Sequence, residues 1–282
     1  MMDIQFLPTC SKRLVFLKKD EYTDGVTIQK GGIIMSIYLG TVALETNRWA
    51  PGRIPTFAVS DYADRAAKDG FDGLELWENH FMLASEAEQD KLASSGQVAI
   101  FNSYGAFHEG LTDNLRQVAA AINRIHPKAI KYNLNRTDLV DEQVNGLLAF
   151  ADLLTSDIRL LCECHAGTCM EQAEAAAAVF ARLDDRFGAI IHLKEPMDTI
   201  KARFDAYGDR ICHIHAANWN GSDYEPLANG ASVLLENLNY MKSRGFAGTY
   251  TLEFTYGLQI ALPALYENAV ADLKWLQANG VK

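Results

Sequence analysis

What the chain lacks narrows the choices first. No stretch approaches the roughly 18 consecutive apolar residues of a membrane span. The first residues carry no apolar signal-peptide core, so the expected address is the cytoplasm, with no membrane partner. Positive charge is in deficit: 26 Lys and Arg stand against 36 Asp and Glu, a formal net charge of −10. Phosphate backbones select basic surfaces, so a nucleic-acid partner is not expected, although a local basic pocket for one phosphate remains open. Cysteine is sparse and odd in number, at Cys10, Cys162, Cys164, Cys169 and Cys212. None forms a paired C-x-x-C set of the zinc type. Three lie in or beside apolar runs, where reduced thiols pack as small hydrophobes. No nucleophile-elbow pattern supports a Ser or Cys hydrolase, and no glycine-rich dinucleotide fingerprint follows the first strand.

What remains is an ordinary soluble composition, 49% hydrophobic and 22% charged over 282 residues. That length suits one large α/β barrel or two small domains. Residues 1–32 fit the later pattern poorly. They read as an N-terminal extension, either a hairpin pairing Arg13-Leu-Val-Phe-Leu with Val26-Thr-Ile-Gln or a disordered segment. Met35 is an alternative start of translation. From residue 33 to 282, strand and helix patterns alternate. Expected strands are Ile33–Leu39, Leu74–Trp77, Gln97–Asn102, Ala129–Leu134, the runs ending at Glu163, His192 and His215, and Thr249–Phe254. Expected helices are Thr56–Lys68 with Thr56 as its cap, Ser85–Ser94, Leu111–Ile125, Asp141–Leu154, Met170–Leu183, Asp198–Tyr207, Ala231–Ser243 and Leu262–Ala278. Eight strand–helix units in about 250 residues predict a single-domain (β/α)8 TIM barrel of the α/β class.

Chemistry concentrates at the ends of the later strands, which in a closed parallel barrel converge on one mouth. Side chains alternate faces along a strand. Leu161, Glu163 and His165 therefore share one face, Ile190, His192 and Lys194 another, Ile211, His213 and His215 a third, and Thr249, Thr251 and Glu253 a fourth. If Glu163 and Glu253 point into the mouth, His192 and His215 join them and His213 sits one layer lower. Two carboxylates with two imidazoles predict a metal site at Glu163, His192, His215 and Glu253. That donor set suits Mn²⁺, Fe²⁺, Co²⁺ or Zn²⁺ better than Ca²⁺. Glu195, next to Pro196, is the alternative ligand on the sixth strand. Candidates for holding a substrate are Glu75, which serves equally as an orienting partner of a ligand, and His108, His165, Lys194 and Trp219. Trp77 and Tyr104 are further candidates for the pocket wall, while His80 and His126 are placed on the surface.

The stretches Phe71-Asp-Gly-Leu-Glu75-Leu-Trp, Leu161-Cys-Glu163-Cys-His165-Ala-Gly-Thr168, Gly208-Asp-Arg-Ile-Cys-His213-Ile-His215-Ala and Gly248-Thr-Tyr-Thr-Leu-Glu253 carry a resemblance. Together they resemble the xylose isomerase-like barrel superfamily, which holds sugar isomerases and epimerases, inosose dehydratases and apurinic endonucleases. The resemblance covers most of residues 35–282. It implies a divalent metal held by strands five to eight, with the match falling on Glu163, His215 and Glu253. It also implies that Glu163 and Glu253 are catalytic, one removing a proton from the carbon beside a carbonyl and the other returning one. The sixth strand departs from the family pattern, offering His192 with Glu195 three residues on where epimerase-like members offer an Asp followed by a His. The implied function is a metal-dependent isomerase or epimerase of a small sugar or ketose. Alternatives are an inosose-type dehydratase on the same scaffold and a degenerate, sugar-binding barrel. An endonuclease fits poorly with an acidic chain of seven His. Barrels of the group often pair, so the resemblance implies a homodimer.

Overall fold

The computed structural model describes residues 26–29, 32–257 and 260–282. Eight parallel strands close into a barrel. They are β1 (Ile37–Gly40), β2 (Leu74–Trp77), β3 (Val98–Asn102) and β4 (Ala129–Tyr132), followed by β5 (Arg159–Glu163), β6 (Phe187–His192), β7 (Ile211–Ala216) and β8 (Thr249–Leu252). Pairing of Tyr250 with Ile37 and Leu252 with Leu39 closes the ring. Each strand is a short apolar run buried on both faces, as a sheet covered by helices requires. Leu39, Leu76, Ile130, Leu160, Ile191, Ile214 and Leu252 face the helical layer in one continuous core. A smaller cluster of Tyr38, Ala99, Ile100, Ala129, Leu161 and Ile190 plugs the barrel interior. The fold is therefore the expected (β/α)8 barrel.

The helices are α1 (Ser60–Asp69), α2 (Glu78–Met82), α3 (Glu86–Ser95), α4 (Asp113–Ile125), α5 (Val140–Ala151), α6 (Ala173–Phe180), α7 (Met197–Tyr207), α8 (Ala231–Ser243) and α9 (Leu262–Ala278). Several boundaries differ from the sequence expectation, each for a local reason. The first expected strand is divided at Ser36. Gly32–Met35 pairs antiparallel with Val26–Gln29, and the barrel strand starts at Ile37. The expected partner at residues 13–17 lies outside the described residues. Thr56 does not cap α1, because its backbone N–H and hydroxyl are taken by Glu45 at 2.6 and 3.1 Å. The α1 N-terminus is instead closed by Glu88, which accepts from the N–H and hydroxyl of Ser60. The alanine-rich helix is shorter than expected because residues 165–172 turn back on the barrel, where the Cys169 N–H donates to the Leu134 carbonyl.

His80, expected on the surface, is 3% exposed. Its Nδ1 lies 2.9 Å from the Thr41 hydroxyl and its Nε2 3.0 Å from Glu45 Oε1. The Trp77 N–H donates to the same Thr41 oxygen. This buried chain ties the loop after β1 to α2, and so fixes the segment that carries Trp49 and Arg53. His126 is exposed beside Asp157, as expected.

At the other end of the chain, Asp272 of α9 accepts from the Leu227 N–H at 2.8 Å and from the Thr255 hydroxyl at 2.9 Å. It thereby anchors the segment after β8. Burial pushes its carboxyl up to about 6, against the pull of those two donors. An unfolded Asp titrates near 3.9, so between about pH 4 and pH 6 the folded chain holds the extra proton. Stability from this group is then present at low pH and declines as pH rises through that window, by at most about 3 kcal/mol. Asp272→Asn keeps the acceptor for Leu227. It should match wild type near pH 4 and exceed it in Tm above pH 6, as thermal melts across that range will read. An Asn variant equally destabilised at both pH values would contradict the assignment.

Candidate metal centre

Read in steps of two, the inward faces of the strands begin apolar and end polar: Ile100 to Asn102, Ala129 to Lys131, Leu161 to Glu163, Ile190 to His192. Register then decides which ends meet. His192 is the cross-strand partner of His215, and Glu163 pairs with Ile190 two residues before His192. A bulge at Cys212 lets Ile190 pair with His213 and keeps both histidines of β7 on the inner face. The bulge relies on Gly188, since a Cβ there would lie 2.5 Å from the Cys212 sulfur.

The four expected ligands converge. Each of Glu163, His192, His215 and Glu253 is buried, and one ligand atom from each lies within 4.8 Å of the others. Glu163 Oε1 is 2.9 Å from His192 Nε2 and 3.0 Å from His215 Nδ1. Glu253 stands 3.4 Å from His215 Nδ1 and 3.8 Å from His192 Nε2. Glu195, the alternative on the sixth strand, turns away and pairs with Arg203 at 2.9 Å.

Behind this layer lies a second one. Glu75 Oε2 is 3.1 Å from His215 Nε2, and Glu75 Oε1 accepts from the Asn102 amide at 3.1 Å. His213 is fully buried and bridges Thr249 and Thr251 at 2.6 and 2.9 Å, with Glu75 at 3.7 Å. Glu75, His213 and His215 also lie close enough to hold an ion. A neutral imidazole has one lone pair, however. If His215 donates Nε2–H to Glu75, that lone pair sits on Nδ1 and faces Glu163 and Glu253. The inner group is thus better suited to orienting His215 than to a second ion, the arrangement that metal-bound histidines commonly use.

This chemistry tests whether the residues fit a cation. An Nδ1 lone pair 3.0 Å from a carboxylate oxygen is repulsive unless a proton or a metal lies between them. Burial disfavours a charged His215, yet Glu75 and Glu253 hold its proton affinity well above the usual histidine range. The same field favours a divalent ion. Burial would raise the Glu163 carboxyl, but Lys131, His192 and His215 hold it well below the ordinary carboxylate range. Glu253 is also held low against burial, by His215, with Glu163 opposing. The residues present fit a borderline N/O metal.

Lys131 and Asn133 were not singled out in the sequence. Lys131 is 4% exposed, and its Nζ lies 2.6 Å from Glu163 Oε2. Asn133 Nδ2 lies 2.9 Å from the same oxygen and 2.9 Å from His165 Nε2. Glu163 is therefore divided, with Oε1 toward the imidazoles and Oε2 held by two donors. His165 Nδ1 faces the Ala166 carbonyl at 2.7 Å, which makes Nδ1 the protonated nitrogen and Nε2 the acceptor from Asn133. The one available signal was an apolar strand, Ala129-Ile-Lys131-Tyr, carrying a lysine on its inner face.

A cavity of about 760 Å³ opens above these groups. Of the substrate candidates, His165, Lys194 and Trp219 line it, together with Tyr104. Glu75 lies beneath it. His108 does not line it and sits beside Glu109 at 3.9 Å. Trp77 is fully buried in a side cluster with Val42, Ala217 and Phe254, outside the cavity.

The fold and this cluster define a closed parallel barrel with a two-glutamate, two-histidine centre at the carboxyl ends of its strands. No protein-family model matches the sequence. No curated protein matches it either. Solved structures do match. The apo form of 3-keto-D-glucoside 4-epimerase from E. coli aligns with TM-score 0.58 at 14% identity, covering 86% of this chain and 99% of that one. D-allulose 3-epimerase from Methylomonas sp. aligns with TM-score 0.59 at 14% identity, covering 87% and 98%. Both are described as sugar epimerases, and what this chain shares with them is the barrel fold. A 2,3-dimethylmalate lyase also aligns, with TM-score 0.50 at 11% identity over 88% and 84% of the two chains. At such identities the likeness establishes the barrel, and a barrel hosts many chemistries.

Two outcomes follow from the supporting residues. Glu75→Gln should leave the fold intact and weaken metal affinity about 10–100-fold, read by competition with a chelator. Lys131→Met leaves Glu163 without its ammonium and should cost about 3–5 kcal/mol in denaturant unfolding of the metal-free chain. Added Mn²⁺ should restore part of that loss.

Proposed function

We propose that the chain is a divalent-metal-dependent isomerase or epimerase of a carbohydrate, acting by proton transfer at the carbon beside a carbonyl. The observation that carries this reading is the convergence of Glu163, His192, His215 and Glu253 at the mouth of a barrel shared with two sugar epimerases. Glu163, His192, His215 and Glu253 would hold the ion. When bound, it would supply Lewis acidity toward neighbouring substrate oxygens.

The chain's own residues divide the remaining work unequally. Glu253 meets no closer donor than His215 at 3.4 Å among the described residues, so its carboxylate is free to take a proton. Glu163 is clamped through Oε2 by Lys131 and Asn133, which keeps it ionised while Glu253 acts as base. A proton returned on the Glu163 side inverts the carbon and gives an epimer; the Lys131 ammonium on Oε2 supplies it through Glu163 and is reprotonated from solvent, while Glu253 releases the abstracted proton. Return from Glu253 to the neighbouring carbon gives an aldose–ketose isomer instead. Lys194 and the Asn133-bound His165 line the cavity where substrate hydroxyls would lie. A positioned carboxylate base contributes about 10²–10⁴ in rate.

Elemental analysis of the folded wild type should find one equivalent of a transition metal, and a Glu163→Gln/His215→Ala double variant should lack it. Glu253→Gln should weaken metal binding without abolishing it and, at saturating Mn²⁺, lose about 10²–10⁴ in turnover on any ketose that wild type converts, and in exchange of its α-hydrogen with D₂O. If wild type takes up no Mn²⁺, Co²⁺ or Zn²⁺, the isomerase reading fails and a sugar-binding barrel replaces it.

A further inference from the structure

Four aromatic rings form a connected wall along one side of the cavity. Phe254 follows the ligand Glu253 directly and is 7% exposed. Tyr224 stacks on it with ring centroids 4.5 Å apart, and Trp219 packs on Tyr224 at 4.9 Å. Trp49 approaches Phe254 from the other side at 5.9 Å. All four line the same cavity, and the wall opens outward to Trp219 and Trp49, which are 43% and 61% exposed. Large aromatic surface left in water beside a polar pocket marks a contact surface.

These rings are held in place. Trp49 follows Arg48, whose Nη1 donates to the carbonyls of Val42, Ala43 and Glu45. Trp219 sits in a short antiparallel pairing, opposite Tyr224. Four residues beyond Trp49, Arg53 donates through Nε to the Arg48 carbonyl at 3.0 Å, lies 4.4 Å over the Tyr104 ring and donates to its hydroxyl at 3.0 Å. The Arg53 backbone has φ 46°, in the left-handed region that a side chain enters at a cost. Its guanidinium offers hydrogen-bond donors beside the aromatic faces.

The inner groups form a compact polar socket around Glu163 and Glu253. At about 760 Å³ the whole cavity falls in the upper part of the roughly 300–1,000 Å³ range of small-molecule pockets, more than one free sugar needs. Sugar rings present C–H faces to aromatic rings and hydroxyl edges to polar donors, the pairing that this wall and Arg53 provide.

We propose that the wall is an outer subsite for a second sugar ring, so that the substrate class is a glycosylated sugar and not a free monosaccharide. This rests on the carbohydrate reading above. The reacting unit occupies the socket at Glu163 and Glu253, and the linked ring lies across Trp49 and Trp219. Proton transfer needs a carbonyl beside the reacting carbon, which the open chain of a reducing-end unit supplies.

The test is titration of the Mn²⁺-loaded protein with reducing disaccharides, the matching free monosaccharides and their phenyl glycosides. Tryptophan fluorescence and calorimetry give the affinities. At least one disaccharide should bind about tenfold or more tightly than its reducing-end monosaccharide. Trp49→Ala/Trp219→Ala should remove that gain, so that disaccharide and monosaccharide bind alike, while Trp49→Phe/Trp219→Phe should keep most of it. Monosaccharide binding with no gain for any disaccharide overturns the outer subsite and leaves the isomerase reading standing. A gain for phenyl glycosides alone overturns the sugar assignment of the second ring. A gain that survives the double Ala variant overturns the role of the tryptophans. No binding by any of these probes overturns both readings.

Discussion

The site depends on keeping three carboxylates ionised inside the barrel. Glu75, Glu163 and Glu253 are each at most 6% exposed, and a buried anion without partners would take up a proton instead. Lys131 meets Glu163 directly, while His215 stands between all three acids. The arrangement is mutually dependent. Lys131 is itself buried and is held charged by Glu163 against its desolvation. Removing one partner leaves the other as an uncompensated charge, which is why such layers are sensitive to single substitutions.

The surrounding fold supplies the rigidity this balance requires. Side-by-side registration of β6 and β7 sets His192 beside His215, and the bulge at Cys212 keeps His213 inside with its two threonines. Apolar residues fill the barrel below and exclude water from the carboxylate layer. The segment after β1 is pinned by the Thr41–His80–Glu45 chain and the segment after β8 by Asp272, so aromatic side chains at the rim have fixed bases. A rigid floor under a pinned rim suits proton transfer, where small displacements of a base are costly.

Sharing a barrel with sugar epimerases and with a lyase separates two kinds of information. The closed parallel sheet arises from eight apolar runs and tolerates wide sequence change, as 14% identity across nearly the whole E. coli epimerase illustrates. Reaction class lies in the few side chains at the strand ends. Here β6 ends in an imidazole, His192, where the resemblance read from the sequence implied a carboxylate. An imidazole there adds no carboxylate to the cluster, and Lys131 lowers its net charge further.

The sequence by itself determined the barrel, most of its strand–helix order and the four residues that converge. Apolar runs of strand length and period-two facing are local properties, visible without knowing what packs against them. It did not determine depth, register or partnership across strands. Lys131 and Asn133 show why: each is one polar residue at the end of an apolar run, and only closure of the barrel sets them on Glu163, 30 or more positions away. The same holds for Glu75, whose partner His215 is 140 residues distant. His80 reads as a surface histidine until α2 turns it onto Glu45, and His108 reads as a mouth residue until its loop carries it away from the cavity. Periodicity fixes the direction of a side chain relative to its own strand. Only tertiary packing decides which charge it meets, and in a buried polar layer that meeting sets the chemistry.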